Sequence, residues 1–378
     1  MPGTFRAGRL FGFDINVHWT WFFIFFLVTW TFATGVLEEF YSDWTTGRRW
    51  TVAAAISLVF FLSILLHEIS HSIVARRYGI AVSGITLFVF GGVSNLTKEP
   101  ETSRQEFLIA IVGPLTSLAL ALLFAVGYFA LSPIEEGAGG VSANLAMINL
   151  AIGIFNLIPG FPLDGGRVLR SVFWAQKRSL VNATRAASRV GTVVAYGIMA
   201  LGVAAFFLDA AITGIWFLLI GNFLRSASAE SYEQVLVDRI LRGVQARAVA
   251  RQDYVTVPPD LLLSQLVEEN LLAGQGRCFP VVVAGELLGL ITLDDVRRVP
   301  RLEWPTTSVY KAMTPFSRLQ TATTRDDLLT VLAQLNSHDI NQVPLVEGKQ
   351  LVGLIHRSDV LRYIQVREEV ESAKPGET

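Results

Sequence analysis

Residues 65–73 read Leu-Leu-His-Glu-Ile-Ser-His-Ser-Ile and set two histidines and a carboxylate inside an apolar run. His67 and His71 are four residues apart, so on a helix they lie about 40° apart on one face, with both imidazoles aimed at one point. That spacing is a two-pronged grip for zinc, and Glu68 beside the first histidine can reach a water at the metal as a general base without ligating it. The residues ahead of the pair, 57–66, are almost wholly apolar. An ionisable group in such a setting costs roughly 2.5–3.5 kcal/mol, which a metal, a proton path or a buried pair can offset. In a soluble helix the pattern His-Glu-x-x-His is short enough to arise by chance; the hydrophobic setting gives it weight.

A third ligand is expected far away in sequence and at the same depth. Residues 155–167 read Phe-Asn-Leu-Ile-Pro-Gly-Phe-Pro-Leu-Asp-Gly-Gly-Arg, in which two prolines break a helix and a lone aspartate precedes two glycines. Asp164 is read as that ligand; the alternative is that it caps a helix starting at Gly165. Asn156 is the strongly polar side chain in the second half of its apolar segment. It is placed either to hydrogen-bond a substrate carbonyl or oxyanion or to join neighbouring helices.

The elements that must position these groups are apolar helices. The 378 residues are 52% hydrophobic and 17% charged, with a mean hydropathy of +0.46, which is too apolar for an ordinary soluble chain and fits a membrane part with a soluble appendage. The apolar excess lies between Val17 and about Phe223, and the chain from Ser226 onward is charged and mixed. A net charge of −1 gives no reason to expect nucleic acid as a partner, and the single cysteine, Cys278, excludes an internal disulfide.

Spans are expected from the segment after Asn16 to about Leu37, then at about 51–75, 105–131, 142–158, 191–208 and 211–224. The first, behind Arg6 and Arg9, is too long for the apolar core of a cleaved signal. Six spans put both termini on one side. Basic residues including Arg6, Arg9, Arg76, Arg77, Arg104, Arg167, Arg170, Arg185 and Arg225 fall on that side. By the positive-inside rule it is cytoplasmic, in a multi-pass cell-membrane protein. His67 then lies about 13 Å along its helix from Arg76, within the bilayer, and water needs a route to it. Between the second and third spans, Gly84–Leu96 reads as a hairpin around Gly91-Gly92. It is expected either as a re-entrant element lining the site, with an edge open to an extended peptide, or as a plain cytoplasmic hairpin.

After Ser226 the chain repeats. Residues 254–299 and 319–364 share an opening Thr/Asp stretch, an amphipathic helix (Leu261 to Leu272; Asp327 to Asn336), a Pro-Val or Pro-Leu strand and a second strand running into a helix. Pro280 and Pro344 each stand nine residues before a glycine, Gly289 and Gly353, and the endings Gly-Leu-Ile-Thr-Leu-Asp-Asp-Val and Gly-Leu-Ile-His-Arg-Ser-Asp-Val align without a gap.

With these residues in view, the chain resembles two families. His67-Glu68-x-x-His71, the Phe90-Gly91-Gly92 segment, Gly113-Pro114 and Asn156 with Pro162-Leu163-Asp164-Gly165-Gly166 look like the site-2 protease family of intramembrane zinc metalloproteases, over about residues 5–228. The resemblance implies one zinc per chain held by His67, His71 and Asp164, Glu68 as general base, and Asn156 near the substrate. It further implies peptide-bond cleavage within transmembrane segments of other membrane proteins. The repeat resembles a tandem CBS pair, which implies adenine nucleotide such as ATP in its clefts and association with a second copy as a homodimer. The family's phosphate- and ribose-contacting positions fall on Thr292 and Asp295 and, in the second repeat, on Asp359, where His356 replaces the hydroxyl residue. The expected organisation is a membrane metalloprotease domain at 1–228, a linker helix at 229–248, CBS repeats at 249–300 and 313–366 around a connector at 301–312, and a disordered tail at 367–378. The fold class is a polytopic α-helical membrane protein of about six spans with a short membrane-associated hairpin, followed by an α/β module. A CBS-regulated transporter or channel with an intramembrane metal site, and a catalytically silent scaffold, are the competing classes. The first gives Glu68 no reason to stand beside a helical i, i+4 histidine pair, and the intact ligand set argues against the second.

Overall fold

A computed structural model describes residues 3–89, 91–208, 210–274 and 276–372. Phe90 of the hairpin, Asp209 and tail residues 373–378 therefore lie outside the described residues. Contacts divide the chain into Met1–Val235 and Leu236–Thr378.

The first unit holds helices α1 (Thr20–Thr31), α2 (Leu37–Phe40), α3 (Thr46–Arg77), α4 (Ser103–Leu131), α5 (Glu136–Asn156), α6 (Asp164–Lys177), α7 (Leu180–Phe206) and, up to Val235, α8 (Ala211–Leu241). Among the described residues, six stretches are long and apolar enough to cross a membrane: Thr20–Phe40, which joins α1 and α2 through a π turn, then α3, α4, Gly137–Asn156 of α5, α7 and α8. Local chemistry sets their starts. The hydroxyls of Thr45, Thr102 and Ser179 accept the backbone N–H groups of Arg48, Gln105 and Asn182 at the heads of α3, α4 and α7. The Ser179 cap starts α7 at Leu180, ahead of the apolar stretch expected from Gly191, because the first turns are helical yet polar. The sixth helix likewise does not stop where apolarity stops. It runs to Leu241, so much of the expected linker helix is its continuation.

Ahead of the first span, where no strand was expected, lie strands β1 (Thr4–Leu10) and β2 (Phe13–His18), joined by a tight turn with positive φ at Phe11 and Gly12. They pair with the expected hairpin, β3 (Val82–Phe88) and β4 (Gly91–Leu96), in the order β1-β2-β3-β4. The central contact is parallel, Ile15 opposite Ile85, and the two hairpins are antiparallel. Alternation in β2 buries Phe13, Ile15 and Val17. Phe13, Ile15 and Ile85 pack on Leu65 and Ile69 of α3, one on each side of His67 in sequence. The sheet thus braces the turn that carries the histidines.

In the second unit the two repeats form matching hairpins. β5 (Cys278–Val283) pairs with β6 (Glu286–Thr292), and β8 (Gln342–Glu347) with β9 (Gln350–His356), in the order β5-β6-β9-β8, with the short β7 (Thr314–Pro315) beside β6. The registers coincide: Val281 faces Gly289 and Leu345 faces Gly353, with an irregularity one residue later in each. Each repeat has its own apolar core, around Leu263, Phe279 and Ile291 and around Leu328, Val343 and Ile355. Residues 367–372, expected in a disordered tail, continue the last helix, Arg357–Ser372.

Small residues set helix contact in the first unit. A Cβ on Gly214 would stand 2.7 Å from the Gly202 carbonyl oxygen, and one on Gly202 would stand 2.9 Å from that of Gly214, so α7 and α8 meet backbone to backbone. Gly197, also on α7, has nothing within 4 Å of such a Cβ. Gly214→Leu is expected to cost about 1–3 kcal/mol through overpacking, seen as a lower thermal unfolding midpoint in detergent, whereas Gly197→Leu leaves it near the wild-type value.

Candidate active site

The histidines, 4% and 5% exposed, project from α3 toward the first residue of α6. His67 Nε2 lies 3.0 Å from Asp164 Oδ2, His71 Nε2 lies 3.1 Å from the same oxygen, and the two Nε2 atoms are 3.1 Å apart. Among the described residues this trio is the one cluster of His, Cys, Asp and Glu able to share a metal ion. The alternative role for Asp164 is not used: Leu163 is the N-cap of α6 and receives no side-chain bond, and the carboxylate goes to the histidines.

Helix α4 orients both rings. His71 donates from Nδ1 to the Ile109 carbonyl at 2.5 Å, and His67 Nδ1 meets the Ser117 hydroxyl at 2.9 Å. A carbonyl only accepts, so a proton sits on His71 Nδ1, which leaves Nε2 as the ring atom turned to the trio. Gly113 on the same helix leaves the space that these nitrogens occupy; a Cβ there would be 2.1 Å from His71 Nε2 and 2.6 Å from His67 Nε2. Two imidazole nitrogens and a carboxylate oxygen are the protein donor set of a catalytic zinc site. A tetrahedral ion with bonds of about 2.0–2.1 Å holds its ligands roughly 3.3–3.4 Å apart, close to the separations found here. The residues fit zinc.

The approach of Asp164 rests on absent side chains. A Cβ on Gly165 would be 2.3 Å from the Ile158 carbonyl oxygen, and one on Gly166 would be 2.5 Å from the Gly160 backbone. Only with both glycines can the first turn of α6 lie against the loop descending from α5.

Glu68 points to the hairpin. The Ser94 hydroxyl of β4 donates to Glu68 Oε2 at 2.7 Å, Ser72 donates to Ser94 at 3.2 Å, and Gly92 lets the strand pass the Glu68 side chain, since a Cβ there would lie 2.5 Å from Glu68 Cγ. Asn156 ends α5 outside the trio, partly buried, with Nδ2 donating back to the Ile152 carbonyl at 3.0 Å. Its second amide hydrogen and its oxygen make no bond within the described residues.

The CBS residues are engaged with one another. Thr292 and Asp295 form a reciprocal cap, with the Thr292 hydroxyl donating to Asp295 Oδ2 at 2.6 Å and the Asp295 N–H returning to Thr292 at 3.3 Å. Asp359 receives the fork of Arg251, with Nε at 2.8 Å from Oδ2. Burial opposes its charge, yet the hydrogen bond and charge of Arg251 hold the Asp359 carboxyl below its usual range. Burial pushes the His356 imidazole down. Burial, aided by the Asp295 charge, pushes the Cys278 thiol up to about 12, so it is inert as a nucleophile at neutral pH.

A histidine pair and an aspartate converging inside apolar helices, with a glutamate one residue from the first histidine, define a membrane-embedded metallopeptidase. Comparison with known proteins agrees. The model of peptidase family M50 matches residues 55–143 and 132–198, and that of the CBS domain matches 246–301 and 309–366. Rip3 of Mycobacterium tuberculosis, named as a candidate zinc metalloprotease, is 35% identical over 97% of this chain and 94% of its own length. The similarly named sll0528 of Synechocystis is 31% identical over 97% and 96%. The solved site-2 protease of Methanocaldococcus jannaschii is 26% identical over 61% of this chain and 95% of its own, with a TM-score of 0.42. The chain belongs to peptidase family M50: it is a multi-pass membrane zinc metalloprotease of the site-2 type that carries a tandem CBS pair.

Sequence reasoning passed over Ser117, the Ile109 carbonyl, Ser94 and Arg251. Ser94 stood inside the hairpin that was expected near the site; the others carry no local signal. Ser117→Ala frees His67 Nδ1 from its partner and is expected to weaken zinc retention about 10–100-fold, read by chelator competition on the purified chain.

Proposed function

We propose that this chain cuts peptide bonds within the transmembrane segments of membrane-protein substrates, with His67, His71 and Asp164 holding one zinc ion. The convergence of these three donors carries the reading. When bound, zinc supplies the Lewis acidity that makes water a nucleophile near neutral pH. Glu68 takes the proton of the attacking water and returns it to the leaving amine. Ser94 keeps that carboxylate in place through its hydroxyl. The free N–H of Asn156 serves a substrate carbonyl or the oxyanion that develops from it. The burial that hides the donors from lipid also excludes bulk water, so the proton has few competing acceptors.

A substrate helix shields its own peptide bonds and must unwind locally, which residues of low helix propensity favour. The unwound strand has a partner in β4, which ends the sheet order and leaves one backbone edge without a strand among the described residues. The bias of basic residues supports a cytoplasmic N-terminus and CBS module in a cell-membrane protein. The proposed domains are the metalloprotease at 1–228 and CBS repeats at 249–300 and 313–366 around a connector at 301–312, with α8 reaching to Leu241 and the last helix to Ser372. An adenine nucleotide such as ATP binds the first CBS cleft through Thr292 and Asp295. Asp359 serves the second cleft only after exchanging Arg251 for a ribose. The module is proposed to dimerise and to regulate cleavage.

Glu68→Gln is expected to keep about one zinc per chain and to lose cleavage of a transmembrane test substrate by at least about 100-fold; cleavage near the wild-type rate removes Glu68 from the base role. Asp164→Ala is expected to lose zinc and cleavage together, measured by metal analysis and substrate turnover on the same preparation. For the CBS module, calorimetric titration with ATP is expected to show binding that Asp295→Ala abolishes and Asp359→Ala leaves largely intact.

A further inference from the structure

A second buried charge cluster in the first unit takes no part in the proposed chemistry. Arg170 of α6 is 4% exposed and Glu106 of α4 is fully buried. Arg170 Nε donates to Glu106 Oε1 at 2.5 Å, a terminal guanidinium nitrogen reaches the same oxygen, and another contact runs to Glu99 Oε2 at 3.1 Å. The guanidinium also lies 5.3 Å from the ring centroid of Phe161, in the loop that leads to Asp164. A buried ion pair seldom stabilises more than well-packed apolar residues of the same volume, and here Glu106 Oε2 has no hydrogen-bond partner among the described residues. Stability alone does not account for keeping these charges.

Their place does. The buried face of α4 carries, turn by turn, Glu106, Ile109, Gly113 and Ser117. Ile109 and Ser117 orient the histidines, Gly113 backs both Nε2 atoms, and Glu106 stands one turn from Ile109 on the same face. Arg170 lies on the helix that begins with Asp164, about 9 Å along its axis. Helix α4 therefore fixes the histidines directly and reaches the helix of the third donor through this pair. We infer that the Arg170–Glu106 pair is a positioning device that sets the Asp164 carboxylate at ligating distance from His67 and His71. The forked guanidinium, bonded to α4 and packed on Phe161, fixes the slide and rotation of α6 against α4, which an apolar contact leaves loose. The inference rests on the metalloprotease reading and adds Arg170 and Glu106 to it as residues that touch neither metal nor substrate.

The test uses the full-length chain in detergent, stripped of metal and refilled with cobalt(II), whose visible ligand-field bands report coordination geometry, with zinc retention against a chelator measured in parallel. Arg170→Lys keeps the charge and loses the fork; Glu106→Gln keeps the shape and loses the charge. Both are expected to alter the cobalt bands and to lower zinc retention about 10–100-fold, while still unfolding cooperatively on heating. Wild-type bands and zinc retention in either folded variant overturn the inference and leave the metalloprotease reading standing. A wild-type chain that takes up neither cobalt nor zinc overturns that reading instead. If a single variant fails to fold, Glu106→Met with Arg170→Met removes both charges at similar volume. Altered bands in that folded chain support the positioning role, and unchanged bands overturn it.

Discussion

Three polar donors must meet inside an apolar helical unit, and the rest of the membrane part is arranged around making that meeting tolerable. A buried imidazole or carboxylate without partners is costly. Here each buried donor spends its second bonding position on α4 or on its neighbours in the trio: His71 on the Ile109 carbonyl, His67 on the Ser117 hydroxyl, Asp164 on both histidines. Removing any one partner leaves the others buried and unsatisfied, so the site behaves as a unit rather than as separable contacts.

Much of this geometry comes from side chains that are missing. Gly92 lets β4 pass Glu68, Gly113 makes room for two ring nitrogens, and Gly165 and Gly166 let α6 start beneath a carbonyl-rich loop. Glycine inside helix or strand is normally a loss of about 0.5–1 kcal/mol, accepted here because a single Cβ would push the backbone away from the atoms it must touch. Bracing is supplied elsewhere. The sheet buries Phe13, Ile15 and Ile85 against Leu65 and Ile69, which fixes the helical turn between those two residues.

What could be read from the sequence divides along physical lines. The convergence of His67 and His71 was legible because helix geometry converts a spacing of four into a shared face. Asp164 was legible because prolines and glycines mark a backbone bent for a purpose. Ser117 and the Ile109 carbonyl were not, being 50 and 38 residues from the rings they orient and chemically ordinary. Arg170 was counted among cations facing the cytoplasm, since a charge tally cannot see that the side chain is 4% exposed. Strands β1 and β2 were missed because β1 is largely exposed and β2 finds its partner only after the chain has run through α1 to α3. Hydropathy also ended the sixth helix too early, because the end of an apolar stretch is not the end of a helix. In the second unit the two endings that align without a gap have matching registers, Gly289 opposite Val281 and Gly353 opposite Leu345.

The closeness of Gly113 to the two ring nitrogens has a stereochemical result. With the backbone of α4 pressed against the donors, nothing larger than hydrogen fits on that side, and whatever is to react has to arrive from elsewhere. An amide is flat and has two faces. On the proposed reading, a peptide laid in one direction along β4 turns the same face toward the donors at each turnover. The direction from which the donors can be met is thus limited by a backbone position that carries no side chain.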